Sequence, residues 1–266
     1  MKTIKIACLY VFFACLAAWS QPAIPEPPAG FIDRLAGTRA SNIEAIITGQ
    51  FSNVDSARGF SVPDPYQPQA ADTVRNWHSG NGSKDEVCAL RFDGIDDSDY
   101  ELRGFASPSE AQAAGFIVTH QGRCGTCSTL QDLAAYLATP DLTTPARQCA
   151  RRLGLARKKK CYQEKTGFTP YCAESWAYNA RHTKKACLGT CISDYGLLNL
   201  LFHRYEGENV TGSGKLRPCL QCDEDNSGPG FKYSAGRTRR NSGIESAIPR
   251  PEQDVYPVDH SAYINH

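Results

Sequence analysis

The chain holds 266 residues with a formal net charge of +1, 41% hydrophobic residues and twelve cysteines. A balance this close to neutrality excludes the global basic excess that draws a protein to nucleic acid or an anionic surface. The length allows a core that disulfides reinforce rather than replace.

Lys2 and Lys5 precede an almost continuously apolar run, Ile6 to Trp19, and Ala18-Trp19-Ser20 places small residues where a signal peptidase reads. Residues 1–20 are therefore expected to be a signal peptide, and the protein to be secreted. No later stretch approaches the eighteen or so apolar residues of a spanning helix, so no membrane span is expected. Cys8 and Cys15 leave with the signal. Cys88, Cys124, Cys127, Cys149, Cys161, Cys172, Cys187, Cys191, Cys219 and Cys222 remain, an even set that favours up to five disulfides in an oxidising compartment. Spacing alone fixes no pairing. Two sequons, at Asn81 and Asn209, fit a glycosylated surface.

Residues 21–30 are proline-rich and read as an extended lead-in. A short helix is predicted over residues 41–48, with Gly49 as its stop. The three prolines between Phe60 and Gln69 make that segment a loop. With no cysteine of their own after cleavage, residues 21–84 are expected to form a small N-terminal subdomain or a pro-segment. From Val87 the pattern turns to strands: residues 87–92 and 100–105 alternate around the turn-forming Asp93-Gly94-Ile95-Asp96-Asp97-Ser98-Asp99. That acidic loop lacks the glycine and glutamate of an EF-hand, so it reads as a solvated hairpin tip and no metal is assigned.

Ser107-Pro108-Ser109-Glu110 is a capping box opening a short helix that Gly115 stops, and Phe116-Ile117-Val118-Thr119 reads as a buried strand. The strand leads into His120-Gln121-Gly122-Arg123-Cys124-Gly125-Thr126-Cys127-Ser128. Leu130, Leu133, Ala134 and Leu137 then recur with helical spacing, and Ser128 with Gln131 supplies a second capping box. Two thiols thus sit at a strand-to-helix junction. A further helix runs from Thr144-Pro145 to Leu153, with Gly154 at its end, and Arg157-Lys158-Lys159-Lys160 is the strongest charge run. It reads first as a solvated helix face, next as a polyanion contact, and third as a processing site. Thr169-Pro170 opens another helix, which Cys161 and Cys172 can tie to its neighbour. Cys187 and Cys191 read as a tight disulfide knot, Leu197 to His203 as a short apolar helix, and Glu206 to Lys215 as a glycine-rich loop. The last quarter shows little periodicity.

A thiol at a helix N-terminus is stabilised as a thiolate and becomes nucleophilic. Gln121-Gly122-Arg123-Cys124-Gly125-Thr126-Cys127 resembles the active-site segment of papain-like cysteine peptidases. That resemblance implies Cys127 as nucleophile, Gln121 as oxyanion donor and Cys124 as a disulfide partner. The implied base is His260, 133 residues beyond Cys127, inside the roughly 130 to 150 expected. Ser128 stands where that family has an aromatic residue, Thr126 replaces its serine, and no Asn-Ser-Trp follows His260. A second resemblance spans more of the chain. The blocks His120 to Tyr136, Cys219 to Asp225 and Ala235 to Ile244 look like a group of secreted cysteine-rich proteins of algae and fungi, which implies export and one compact domain but no reaction. If that group is catalytic, Asp223, Glu224, Arg237, Arg239 and Arg240 stand beside His120 as residues to test, against a surface ion-pair network as the plainer reading. Cys124-Gly125-Thr126-Cys127 also has thioredoxin-like spacing, without the surrounding β-α-β pattern.

The fold class expected is α+β and disulfide-rich, with mostly short helices and a small antiparallel sheet; residues 85–266 form the main domain. The function expected is that of a binding or structural module, with a thiol-dependent hydrolase as the alternative. No cofactor is implied, no nucleic-acid partner is expected, and the sequence names no partner.

Overall fold

The structure, a computed structural model, describes residues 29–49, 62–79, 85–92, 98–202, 209–249 and 251–263. The expected signal peptide, the hairpin tip at 93–97, the Asn81 sequon and His203 lie outside the described residues.

A four-stranded sheet is assembled from β1 (Arg39–Ala40), β2 (Val87–Phe92), β3 (Asp99–Phe105) and β4 (Ile117–Gln121) in the order β1-β3-β2-β4. β2 and β3 form the expected antiparallel pair, with Val87 opposite Phe105 and Phe92 opposite Tyr100, and β4 joins the other edge of β2 antiparallel. The sheet is mixed rather than purely antiparallel. β1 runs parallel to β3, with Arg39 opposite Asp99 and Ala40 opposite Tyr100. The first four residues of β2 are all buried, since both faces of the sheet are covered. On one face Cys88, Leu90, Tyr100 and Leu102 join the main core; on the other Val87, Ala89 and Phe105 pack with Phe116 and with Ala111 of α4 (Pro108–Ala113).

The capping box of α4 forms as the sequence predicts, with Ser107 accepting from the Glu110 amide. The glutamate's side chain returns to the amide of Ala106, one residue upstream of the expected one. Helix α5 (Leu130–Ala138) is capped by Thr129 and Asp132, not by Ser128 and Gln131. The shift by one residue leaves Ser128 free for another partner, described below. Asp132 also accepts from the backbone and hydroxyl of Thr169, the cap of α8 (Pro170–Tyr195), so one buried carboxylate serves the N-termini of two helices. Its surroundings push its pKa up to about 6 through burial, opposed by these hydrogen bonds.

The remaining helices wrap around α8. Helix α6 (Thr143–Ala150) ends earlier than expected. Gly154 does not close it but precedes α7 (Leu155–Thr166), where its φ of 78° suits glycine. The basic run falls on α7 and splits: Lys158 is buried with its ammonium on the Ala150 carbonyl, Lys159 pairs with Glu174, and Arg157 and Lys160 face outward. Helix α9 (Leu197–Phe202) follows α8 after Gly196, and α10 (Pro218–Asn226) and α11 (Gly228–Ala235) occupy the stretch that lacks periodicity.

The ten cysteines among the described residues are all paired. Cys161 and Cys172 do not bond each other; Cys161 joins Cys149, and Cys172 joins Cys127. Nor do Cys187 and Cys191 form a local knot. Four residues apart on α8, they share a face and bond Cys222 and Cys219 on α10, clamping the two helices side by side. The described part of residues 21–84 is built into this body. Helix α1 (Phe31–Gly37) puts Phe31 and Leu35 in the main core, and α2 (Ile43–Thr48) adds Ile47 to a smaller cluster with Val62 and Tyr178. The Tyr66 ring stacks on His182 with its hydroxyl 2.8 Å from both Asn179 Oδ1 and the Ser227 carbonyl. Helix α3 (Pro68–Ser79) lies against α11, where Trp77 meets Tyr233 edge-on.

Candidate functional site

The glycine-bearing loop at residues 122–128 is held from every side. Cys124 bonds Cys88 on β2, and Cys127 bonds Cys172 on α8. The amides of Thr126 and Cys127 donate to the Ser234 and Ala235 carbonyls at the end of α11, at 2.9 and 2.8 Å. Thr126 Oγ1 meets Ser175 Oγ at 2.8 Å, and Ser175 Oγ meets Ser234 Oγ at 2.7 Å. The backbones of Gly125 and Gly236 run together so closely that a Cβ on Gly125 would lie 2.5 Å from Ala235 and Gly236 main-chain atoms. Both positions therefore need glycine, and Gly236, with φ of 71°, needs it on conformational grounds as well.

Arg237 lies beneath the loop, fully buried. Its five N–H groups find five acceptors: Nε donates to the Cys127 carbonyl, one terminal nitrogen to the Thr119 carbonyl and Ser242 Oγ, and the other to Thr119 Oγ1 and the Ser128 carbonyl. No carboxylate is among them. His120 is buried beside this cation. Its Nδ1 lies 2.9 Å from the Gln121 carbonyl, which can only accept, so Nδ1 carries the proton and Nε2 accepts from Ser128 Oγ at 2.7 Å. Ser128 Oγ in turn accepts from the Gly125 amide at 2.7 Å. Burial, and then the neighbouring Arg237 charge, push the His120 pKa well below its ordinary value and keep the ring neutral. A serine donating to a histidine has the outline of a nucleophilic dyad. However, Ser128 is wholly buried and its oxygen already serves the loop amide, so this pair is a lock.

The nucleophile expected at Cys127 is absent, because its sulfur is spent in a disulfide, and its amide, which an oxyanion would need, is spent on Ala235. His260, in the 3₁₀ turn His260–Tyr263, places Nε2 2.6 Å from the Ser242 carbonyl. Its pKa falls to about 4 through burial and then the Arg237 charge. Of the five binding candidates, Arg237 is the buried cation just described, and Arg239 caps α5 by donating to the Tyr136 and Thr139 carbonyls. Asp223 turns inward to Thr183 and Asn179 of α8. Glu224 bridges Lys232 and Arg240 through one oxygen.

Only Gln121 and Arg240 among these residues line the cleft that opens beside the loop. Its volume is about 300 Å³, and Trp77, Glu86, Lys232 and Asp254 line it as well. Trp77 Nε1 donates to Glu86 Oε2 at 3.4 Å, and the Arg123 guanidinium lies 4.1 Å over the Tyr233 ring that Trp77 abuts. Asn241 fixes the rim by donating to the Gln121 and Gly236 carbonyls at 2.7 and 2.8 Å. Trp77 and Asp254 lie in segments without a sequence motif, and only the folded chain brings them to Gln121.

Residues 155–258 match the model of a family of unknown function (DUF8771). Neither the curated proteins nor the solved structures contain a match to the chain. The matched segment includes α7, the clamped helices α8 and α10, and Arg237, but not the loop at 122–128 that Arg237 supports.

Replacing Arg237 by lysine leaves at most three donors for five acceptors, so Arg237→Lys is expected to lose about 3 kcal/mol or more, read as a lower urea midpoint at unchanged slope. His260 gives a pH signature. Its folded-state pKa of about 4 lies below the ordinary 6.5, so the unfolded chain takes up the proton first. The stability it confers is full above 6.5 and is lost as pH falls toward 4, by up to about 3 kcal/mol. His120 acts in the same sense, while Asp132, raised to about 6, acts oppositely below that pH. Denaturant titrations of His260→Gln should show a shallower loss between pH 6.5 and 4 than the parent chain.

Proposed function

We propose that the protein is a secreted, disulfide-stabilised binding module that takes a small polar ligand in the cleft beside the Cys124-Gly125-Thr126-Cys127 loop. The observation that carries this reading is the use of the loop itself: both thiols, the loop amides and the buried Ser128-His120 pair are committed to internal partners. Beside it, the lining of the cleft stays open. There Lys232 and Arg240 share a single oxygen of Glu224, Glu86 and Asp254 add carboxylates, and the Trp77 ring adds an apolar surface. This mixture suits a ligand that offers both charge signs or many hydroxyls, and the volume is at the small end of ligand pockets. Five disulfides in one chain support an oxidising destination. The N-terminal apolar run and the Asn209 sequon support the secretory route. The Asn209 side-chain oxygen accepts from Arg147 at 3.0 Å, at the edge of the body.

Alkylation of the denatured, non-reduced protein followed by intact mass should find no free thiol. One modified thiol mapped to Cys127 would restore the hydrolase alternative. For the cleft, thermal-shift measurement against free amino acids and short saccharides should give hits whose shift disappears in Asp254→Ala or Lys232→Ala. A shift of equal size in both variants would place the ligand elsewhere.

A further inference from the structure

Charge is nearly balanced over the whole chain but not along it. Residues 147–185 hold eleven of the 29 lysines and arginines and only two of the 28 acidic residues, Glu164 and Glu174. Those two are answered by Lys160 and Lys159. Arg151, Arg152, Arg157, Lys184 and Lys185 are exposed and, among the described residues, form no ion pair. The fold gathers them. The buried Lys158 places its ammonium on the Ala150 carbonyl and feels the charge of Lys184, so the corner between α6 and α7 sits against the middle of α8.

The exposed large apolar side chains of the described structure fall in the same region. They are Leu153 at that corner, Leu188 one turn beyond Lys184 on α8, and Leu197, Leu198, Leu201 and Phe202 on α9. Leu153, Leu198 and Phe202 retain 71%, 66% and 63% of their accessible surface. Helix α6 spans the two groups: Arg147 at its last turn reaches the Tyr195 hydroxyl where α8 ends, just before α9, and Ala150 meets Lys158. A short helix that turns leucines and a phenylalanine outward, joined through α6 to a corner that carries exposed cations without ion pairs, meets water at a cost that an amphipathic anionic surface removes.

We infer that this face docks onto the surface of an anionic lipid bilayer, with the α9 side chains entering the headgroup region and the α6–α8 cations over acidic headgroups. Charge chooses this occupant. A second copy meeting the same face about a two-fold axis would set cations against cations. Nucleic acid would satisfy the cations and leave the leucines in water. The mode is peripheral, since among the described residues no helix is long and apolar enough to cross a membrane.

Vesicle flotation tests the inference with the full chain. Vesicles of phosphatidylcholine alone should leave the protein in solution, and vesicles containing phosphatidylglycerol should carry it, with binding that weakens as salt rises. Lys184→Glu with Lys185→Glu should lower the partition by about tenfold or more. Leu198→Ser with Leu201→Ser should lower it comparably by removing the inserted face; both changes lie on exposed positions, and circular dichroism verifies that each variant folds. Absence of binding to either vesicle, or equal binding to both, would overturn the inference. So would a concentration-dependent dimer in light scattering that the leucine variant abolishes, because the face would then be covered by a second copy.

Discussion

A buried guanidinium without a carboxylate against it holds the centre of this protein together. Removing such an ion from water costs several kcal/mol, and the cost is met here by carbonyl and hydroxyl dipoles rather than by a counter-ion. Those acceptors come from β4 and the two last residues of the loop, more than a hundred residues before Arg237, and from the turn at Ser242 just after it. Arg237 is satisfied only when all three are in place, which ties the sheet, the loop and the C-terminal segment into one cooperative unit. The neutrality of His120 is a consequence. Next to an obligatory cation a protonated ring is disfavoured, and a neutral ring with its proton on Nδ1 is the form that accepts from Ser128.

The loop illustrates how the same residue types that build a reactive centre also build a joint. A cysteine, a serine, a histidine and close-packed glycines converge within hydrogen-bond distance, yet each group's capacity is used within the protein. Gly125 and Gly236 let the loop backbone dock against the end of α11, and that docking draws in the amides which in a hydrolase would face an oxyanion. Reactivity is set by what stays accessible, and here the accessible polar groups beside the loop line the neighbouring cleft.

The parts of the fold legible in the sequence were those whose signal is local. The β2–β3 hairpin announces itself by alternation and turn residues, and α4 by Ser107-Pro108-Ser109-Glu110. The cap of α5 moved from Ser128 to Thr129 because Ser128 had a stronger claim from His120 and Gly125, which no local pattern reveals. Helices α10 and α11 escaped notice because they begin at Pro218 and at Gly228-Pro229 and carry little amphipathic pattern. The first is held by its two disulfides to α8 and the second by backbone contacts with the loop, so propensity has little say. The site was less legible still. The sequence singled out Arg237 and Arg239, which serve packing and capping, and passed over Trp77 and Asp254, which the tertiary fold alone brings beside Gln121.

The depth of the disulfides orders the protein's own maturation. Cys127 and Cys172 are both fully buried, while Cys191 and Cys219 are only partly covered. A thiol pair sealed inside cannot meet an oxidant once the native body has closed, so the Cys127–Cys172 bond must be made while the chain is still open, before Arg237 locks the loop down. Of the two bonds between α8 and α10, Cys191–Cys219 can be closed last, and reopened, without disturbing the interior, whereas Cys187–Cys222 has its Cys187 end fully buried. Assembly therefore runs from the centre outward, and a chain that closes with its inner pair still reduced is trapped with a defect that no external oxidant can repair without unfolding it.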